Sequence, residues 1–300
     1  MLQRFLDYLR YELNRAPLTI EAYKLDISQF QEWLCPEESR NADLSTVTAN
    51  DVRAWLASLA KAGDSPRTLR RKIISIRMLF NWMMKTGEIK ISPIRDVPLP
   101  KISKPLPDLI KPEEIENALK KLQEEDDNPS NLMKYLIVDM FYSLGIRRAE
   151  LIKLNDADIS FSKGEIKVTG KRSKQRVIPV PQRLLDKIKD WQNLRDREEE
   201  VTTNQNPLFI MKGKRISADQ VYKIVKEALF DSTARKKSPH ALRHSFASGM
   251  LNGGADIDSV KEFLGHASLA TTQIYTHISL NEIKKAYQSA HPRSVDNKKQ

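Results

Sequence analysis

The sequence predicts a two-domain, mainly α protein with one small antiparallel β-sheet in its second half. Three features point to it. Apolar residues recur at three- and four-residue steps through residues 1–92, the period switches to two between residues 159 and 180, and five prolines fall within residues 93–107. A chain of 300 residues is long enough for two domains, each with its own core.

In chain order, residues 2–13 form an amphipathic first helix. Ile20, Tyr23, Ile27, Phe30 and Leu34 make the core-facing stripe of a second. Val52, Trp55, Leu56 and Leu59 mark a third, capped by Thr48 or Asn50, and Leu69, Ile73, Ile76, Phe80 and Met83 a fourth, opened by Ser65-Pro66. Short turns between them predict a helical bundle over residues 1–92. Its last helix is basic: Arg67, Arg70, Arg71, Lys72 and Arg77 are either phosphate contacts or a solvated helix face. Residues 93–108 read as a stiff, extended Pro/Lys-rich linker, with Lys101 and Lys104 suited to lie along a phosphate backbone.

The second domain, residues 109–293, begins with helices near 112–123, 131–143 and 147–154. Ile159/Phe161, Ile166/Val168 and Val177/Ile178/Val180 then predict three short strands, turning at Lys163-Gly164 and at Gly170-Lys171-Arg172-Ser173. Helix returns at 182–194. Residues 195–205 read as a polar loop, 208–210 as a short strand and 218–229 as a helix. Pro239 opens a helix that Gly253-Gly254 stops, and a second runs over 257–264 to Gly265. A third begins near Ser268 with Tyr275 on its last turn. An amphipathic helix at 280–290 and a polar tail at 294–300 close the chain.

Composition narrows the function. Lys plus Arg number 50 against 39 Asp plus Glu, a net charge of +11, which favours a polyanionic partner, nucleic acid above all. The excess is spread: 17 basic against 12 acidic residues in 1–104, and 33 against 27 in 105–300. Cys35 is the sole cysteine, which excludes an intrachain disulfide and a thiolate metal cluster and fits a reducing, cytoplasmic compartment. No apolar run reaches the roughly 18 residues of a membrane span.

Residues 238–277 gather four of the five histidines, together with Arg243 and Tyr275. His240 and Arg243, three apart on a helix, share a face. His266 lies just past a helix C-terminus. His240 and His244 have the spacing of a metal pair, but the glutamate of a zinc protease helix is missing and Arg243 between them repels a cation. Upstream, Arg147 stands at a helix N-terminus, where a cation opposes the macrodipole and suits anion binding; Glu150, three on, orients it or caps the helix. The turn Gly170-Lys171-Arg172-Ser173-Lys174-Gln175-Arg176 packs four basic groups into six residues, with Lys171 best placed to reach inward.

Together the motifs GIRRAEL, GKRSKQRVIPV, HALRHSFA, LGHASLATTQIYTH and AHPR resemble the tyrosine site-specific recombinase (phage integrase) family. The resemblance extends to APLTIEAYKLDISQFQEWL and SPRTLRRKIISIRMLFNWM, which look like that family's core-binding, SAM-like helical bundle. Within the family, the compact length and the end after HPR look most like the Xer recombinases. The hairpin departs from the usual pattern in having Arg172-Ser173 where glycine and asparagine are common, and Ile146 replaces a leucine.

The resemblance implies a mixed α/β catalytic domain, a clamp on double-stranded DNA carrying a specific recombination site, and strand exchange through a Holliday junction. It implies that Tyr275 is the nucleophile forming a 3′-phosphotyrosyl bond, with Arg147, Lys171, His240, Arg243 and His266 completing the site, and Arg172 and Lys174 as further DNA contacts. No cofactor, metal or ATP is expected. The implied assembly is a homo- or heterotetramer on DNA, with room for a paralogous recombinase and an accessory or activating protein, and with helix 280–290 docking on a neighbouring protomer. Chromosome dimer resolution is the implied role; integration or inversion of a mobile element and type IB topoisomerase activity are the alternatives.

Overall fold

The computed structural model describes residues 1–35, 43–102, 109–124, 129–170, 174–198, 206–265 and 280–294. The chain divides into two compact units, Met1–Lys104 and Pro105–Gln300.

The first unit is the expected bundle. Helix α1 (Leu2–Asp7) passes into a π-helical turn, Tyr8–Glu12, and is followed by α2 (Pro17–Leu34), α3 (Ala49–Lys61) and α4 (Pro66–Lys85). Thr48 caps α3 in a reciprocal box with Asp51, and Ser65 caps α4 ahead of Pro66, which leaves no needed donor missing. Phe5, Leu9, Ile27, Phe30, Trp55, Ile76 and Phe80 form the core, where the Phe30 and Trp55 rings lie 4.8 Å apart. Ile94 and Val97 are buried in the same core, and the Arg77 guanidinium donates to the Val97 carbonyl at 2.9 Å. The first part of the proline-rich segment is therefore packed rather than free, because its two aliphatic side chains find the bundle.

The second unit is built around α6 (Pro129–Leu144), an almost wholly buried helix that packs against α5 (Pro112–Glu124), α8 (Gln182–Glu198), α9 (Ala218–Ala228) and α10 (Pro239–Asn252). After α7 (Arg148–Lys153), strands β1 (Ile159–Ser160), β2 (Glu165–Thr169) and β3 (Gln175–Pro179) form the antiparallel sheet, with Ile166 opposite Ile178 and Val168 opposite Arg176. Helix α11 (Ile257–Leu264) ends at Gly265 in the left-handed conformation, and α12 (Leu280–Ala290) follows.

Two local expectations change. Helix α8 runs on to Glu198, through residues read as loop, because Arg195 is buried and satisfied: it donates to both Asp156 oxygens and to the Pro207 and Leu208 carbonyls. The short strand read at 208–210 is instead one arm of a hairpin, β4 (Ile210–Met211) and β5 (Lys214–Arg215), turning at Lys212-Gly213 with both φ angles positive.

Helix α12 covers its own unit. Tyr287 is buried, with its ring 5.3 Å from Phe263 and 6.4 Å from Phe246, and Ala290 and His291 are buried beside it. Beyond it, Arg293 donates to Tyr135 Oη at 3.0 Å and to Asp139 at 3.3 Å, and Arg183 donates to Asp139 at 2.7 Å.

Candidate active site

The site begins where α6 stops. Gly145 has a φ of +55°, and a Cβ built there would lie 2.4 Å from a Phe246 ring carbon, so the turn accepts glycine alone. Ile146 then anchors in the core and Arg147 becomes the N-cap of α7. Glu150, in the first turn, accepts from the Arg147 backbone N–H at 2.8 Å and from Arg147 Nη1 at 2.7 Å. The predicted pair is thus both a cap and an orienting contact.

Arg243 comes from α10, whose N-cap Ser238 accepts from the Ala241 N–H and whose first helical residue is Pro239. It is buried, donating through Nη1 to the Gly145 carbonyl and through Nη2 to the Leu264 carbonyl at 2.7 Å. Arg147 Nη2 donates to the next carbonyl, Gly265, at 2.9 Å. Two arginines nearly a hundred residues apart are therefore held side by side by the end of α11. Burial, then the adjacent Arg147 charge, pull the Arg243 guanidinium down to about 10, with Glu150 opposing; it stays protonated at neutral pH.

Glu150 supplies the compensating charge. Its side chain is 2 % exposed, and burial alone would raise its pKa. The Arg176 and Arg147 donors override burial and hold the carboxyl at about 2. Arg176 on β3 grips it with a fork, Nη1 to Oε1 at 2.7 Å and Nη2 to Oε2 at 3.0 Å.

His240 and His244 are both exposed on α10, with Nε2 atoms 3.1 Å apart and rings edge to face. Burial, then the His244 and Arg243 charges, lower the His240 pKa, which favours a neutral imidazole able to pass a proton.

Lys171, Arg172, His266 and Tyr275, the expected third helix near Ser268, and Lys104 lie outside the described residues. Two of these positions adjoin the site in sequence. Gly170 precedes Lys171, and a Cβ on it would lie 3.4 Å from Glu150 Oε1 and 3.8 Å from Arg147 Nη1. Gly265, whose carbonyl receives Arg147, precedes His266.

Of the remaining basic candidates, Arg67, Lys101 and Lys174 are exposed and Arg70 is partly so. Arg71 is half exposed and paired with the fully buried Asp26, which also accepts from Ser75 at 2.6 Å. Arg77 is partly buried on the Val97 carbonyl. Lys72 departs from expectation: its side chain is 8 % exposed and its ammonium lies 2.9 Å from Asp64, so it is committed within the bundle rather than offered to a phosphate. Arg176, by contrast, belongs to the site and was counted only as a basic residue of the hairpin. Its signal is the strand period, which puts it on the face of Ile178, inward.

Residues 109–282 match the phage integrase family, and residues 2–87 match the phage integrase N-terminal SAM-like domain. The chain is 35 % identical to the tyrosine recombinase XerC of Thermodesulfovibrio yellowstonii, over 97 % of this chain and 96 % of the relative. It is 32 % identical to the XerC of Chlorobaculum tepidum, over 98 % and 94 %. Among solved structures it resembles the XerH site-specific recombinase bound to a palindromic difH substrate in a post-cleavage complex, with 25 % identity, a TM-score of 0.70 and coverage of 96 % of this chain and 83 % of that one.

Proposed function

The chain belongs to the phage integrase family and is an Xer-type site-specific tyrosine recombinase, an enzyme that cuts and rejoins DNA; on that premise we propose that Tyr275 is its nucleophile and that Arg147 and Arg243 hold the phosphate it attacks. The observation that supports this best is the convergence of the two guanidiniums on the Leu264 and Gly265 carbonyls, directly before His266.

In the proposed reaction the Tyr275 oxygen attacks a DNA phosphorus, forming a 3′-phosphotyrosyl bond as the bond to the 5′-oxygen breaks. A phenol with a reference pKa of about 10 is far easier to ionise than an aliphatic hydroxyl. His240 takes its proton and Lys171 gives one to the departing 5′-oxygen, so the proton count is unchanged. One phosphodiester replaces another, which conserves bond energy and makes the step reversible without ATP. Negative charge gathered on the non-bridging oxygens is met by the planar forks of Arg147 and Arg243 and by His266. Rejoining is the same path reversed, with a different 5′-hydroxyl.

The DNA partner is a duplex carrying a recombination site, as for the XerH relative on difH. Arg67, Arg70, Arg71, Lys101, Lys104, Arg172 and Lys174 are the proposed backbone contacts, and Arg77 a weaker one. Strand exchange proceeds within a tetramer through a Holliday junction, with resolution of chromosome dimers in the cytoplasm as its purpose. Docking of α12 on a neighbouring protomer requires release of Tyr287 from its own core. No described helix is long and apolar enough to cross a membrane.

The test is a nicked duplex that traps the covalent intermediate, carrying the sequence that the purified protein protects from nuclease. A protein–DNA adduct is expected with the unaltered chain and none with Tyr275→Phe. An adduct that survives that substitution overturns the assignment.

A further inference from the structure

Three consecutive carbonyls at the end of α11 each accept from a different arginine. Phe263 receives Arg176 Nε at 3.0 Å, Leu264 receives Arg243 Nη2 at 2.7 Å and Gly265 receives Arg147 Nη2 at 2.9 Å. The last carbonyls of a helix lack partners within it and carry the negative end of its dipole, so guanidiniums suit them. Arg147 and Arg243 are the proposed phosphate ligands. Arg176 stands apart from them, because each of its three side-chain nitrogens donates inward: Nε to Phe263, and Nη1 and Nη2 to Glu150. Its side chain is 17 % exposed.

We propose that Arg176 is a positioning residue for strand cleavage, bridging Glu150 and the Phe263 carbonyl so that Arg147 and the end of α11 form one rigid frame. The proposal rests on Arg147 being a phosphate ligand.

The frame works through the sharing of Glu150. The carboxylate is buried and needs several donors to stay ionised there. Arg176 meets both its oxygens, so Arg147 spends only one side-chain N–H on Oε1 and one on Gly265, two of a guanidinium's five. Without Arg176, Arg147 is the remaining charged partner of Glu150 among the hydrogen bonds described, and is drawn onto it and away from the phosphate. The Phe263 carbonyl loses its donor in the same change, which loosens the chain entering His266. One substitution thus disturbs two of the three groups proposed to stabilise the phosphate.

The experiment compares Arg176→Met and Arg176→Lys with the unaltered full chain on the nicked trapping duplex at saturating protein, with rates normalised to folded protein by circular dichroism. Arg176→Met is expected to slow cleavage about 10²-fold while leaving DNA affinity within about threefold, the cost of misplacing a group that acts in the transition state. Arg176→Lys keeps the charge and much of the length, and carries the test if the methionine variant does not fold. It is expected to stay about tenfold slow, since a lysine cannot reproduce a fork plus a third, in-plane donor. A duplex with sulfur in place of the 5′-bridging oxygen needs no proton on departure. It is expected to restore Lys171→Ala but not Arg176→Met, which separates lost phosphate stabilisation from lost proton donation to the leaving group. Cleavage per folded molecule within threefold of normal in both Arg176 variants, or full recovery of Arg176→Met on the sulfur substrate, overturns the proposal. An Arg147→Ala control separates the two failures: cleavage within threefold of normal there removes the premise, whereas slow cleavage there with unimpaired Arg176 variants removes only the positioning role.

Discussion

Arg147 binds its own orienting partner twice, donating its backbone N–H to Glu150 Oε2 at 2.8 Å and its guanidinium to Oε1 of the same carboxylate at 2.7 Å. A cation at a helix N-terminus is unfavourable by itself, and the glutamate three residues on reverses the local charge while satisfying an orphan N–H. Binding geometry and helix initiation are thus one feature. Glu150→Gln keeps the size but removes the charge and turns one acceptor into a donor facing arginine. Cleavage is expected to fall by about 10²-fold and stability by about 2–4 kcal/mol, read by single-turnover trapping and urea unfolding. The Glu150 carboxyl is depressed to about 2, so its stabilisation is complete above the ordinary carboxylate pKa and is lost as pH falls from about 4 towards 2. The glutamine variant is expected to lose that part of the acid dependence.

Gly145→Ala tests the turn beneath this pair. The new Cβ meets Phe246 ring carbons at 2.4 and 2.8 Å and a Leu264 methyl at 2.9 Å, at a φ of +55°. Both the clash and the backbone conformation act against it, for a loss of about 2–4 kcal/mol. Because the Gly145 carbonyl also accepts from Arg243, cleavage per folded molecule is expected to fall as well. Thermal unfolding together with trapping checks both parts; an unchanged melting temperature contradicts them.

Helical stripes and caps were legible because each is a local pattern: the fourth helix follows from Leu69 to Met83, Ser65 and Pro66 alone. The sites of Arg147 and Arg243 were legible from motif grammar. What could not be read was commitment between distant charges. Nothing near Lys72 announces that Asp64 takes it, nor near Arg195 that Asp156, far back in the chain, draws it inside and prolongs α8. Arg176 lies between these cases, since its inward strand phase was available while its partners Glu150 and Phe263 were set by tertiary packing.

The basic face of α4 separates by the same criterion. Arg67 is exposed, whereas Lys72 is buried against Asp64 at 2.9 Å. Arg67→Ala is expected to weaken DNA binding and reduce the slope of log affinity against log salt by about 0.9, the loss of one phosphate contact. Lys72→Met is expected to leave that slope unchanged and instead lower stability by about 1–3 kcal/mol, because Asp64 loses its partner. Fluorescence anisotropy at several salt concentrations, paired with urea unfolding, distinguishes the two; equal slopes for both variants contradict the division.

The end of the chain carries a pH dependence of its own. His291 is buried with its ring 5.0 Å from Phe246, 5.2 Å from Tyr142 and 5.7 Å from Tyr287. Burial pushes its pKa down to about 4; Asp139 works against this, and Arg293 and Arg183 add to it. The folded chain therefore holds this imidazole neutral where an unfolded chain, with a pKa near 6.5, binds a proton. Unfolded chains bind more protons between pH 6.5 and about 4, so stability is complete above 6.5 and falls as the medium is acidified through that window. At pH 5 the expected loss is about 2 kcal/mol relative to pH 7, taking 1.36 kcal/mol per pH unit. His291→Phe retains the ring contacts and removes the titration, so its unfolding free energy is expected to be flatter over the same range. Urea unfolding of both proteins at pH 5 and 7 checks this, and an equal loss in both places the acid sensitivity elsewhere.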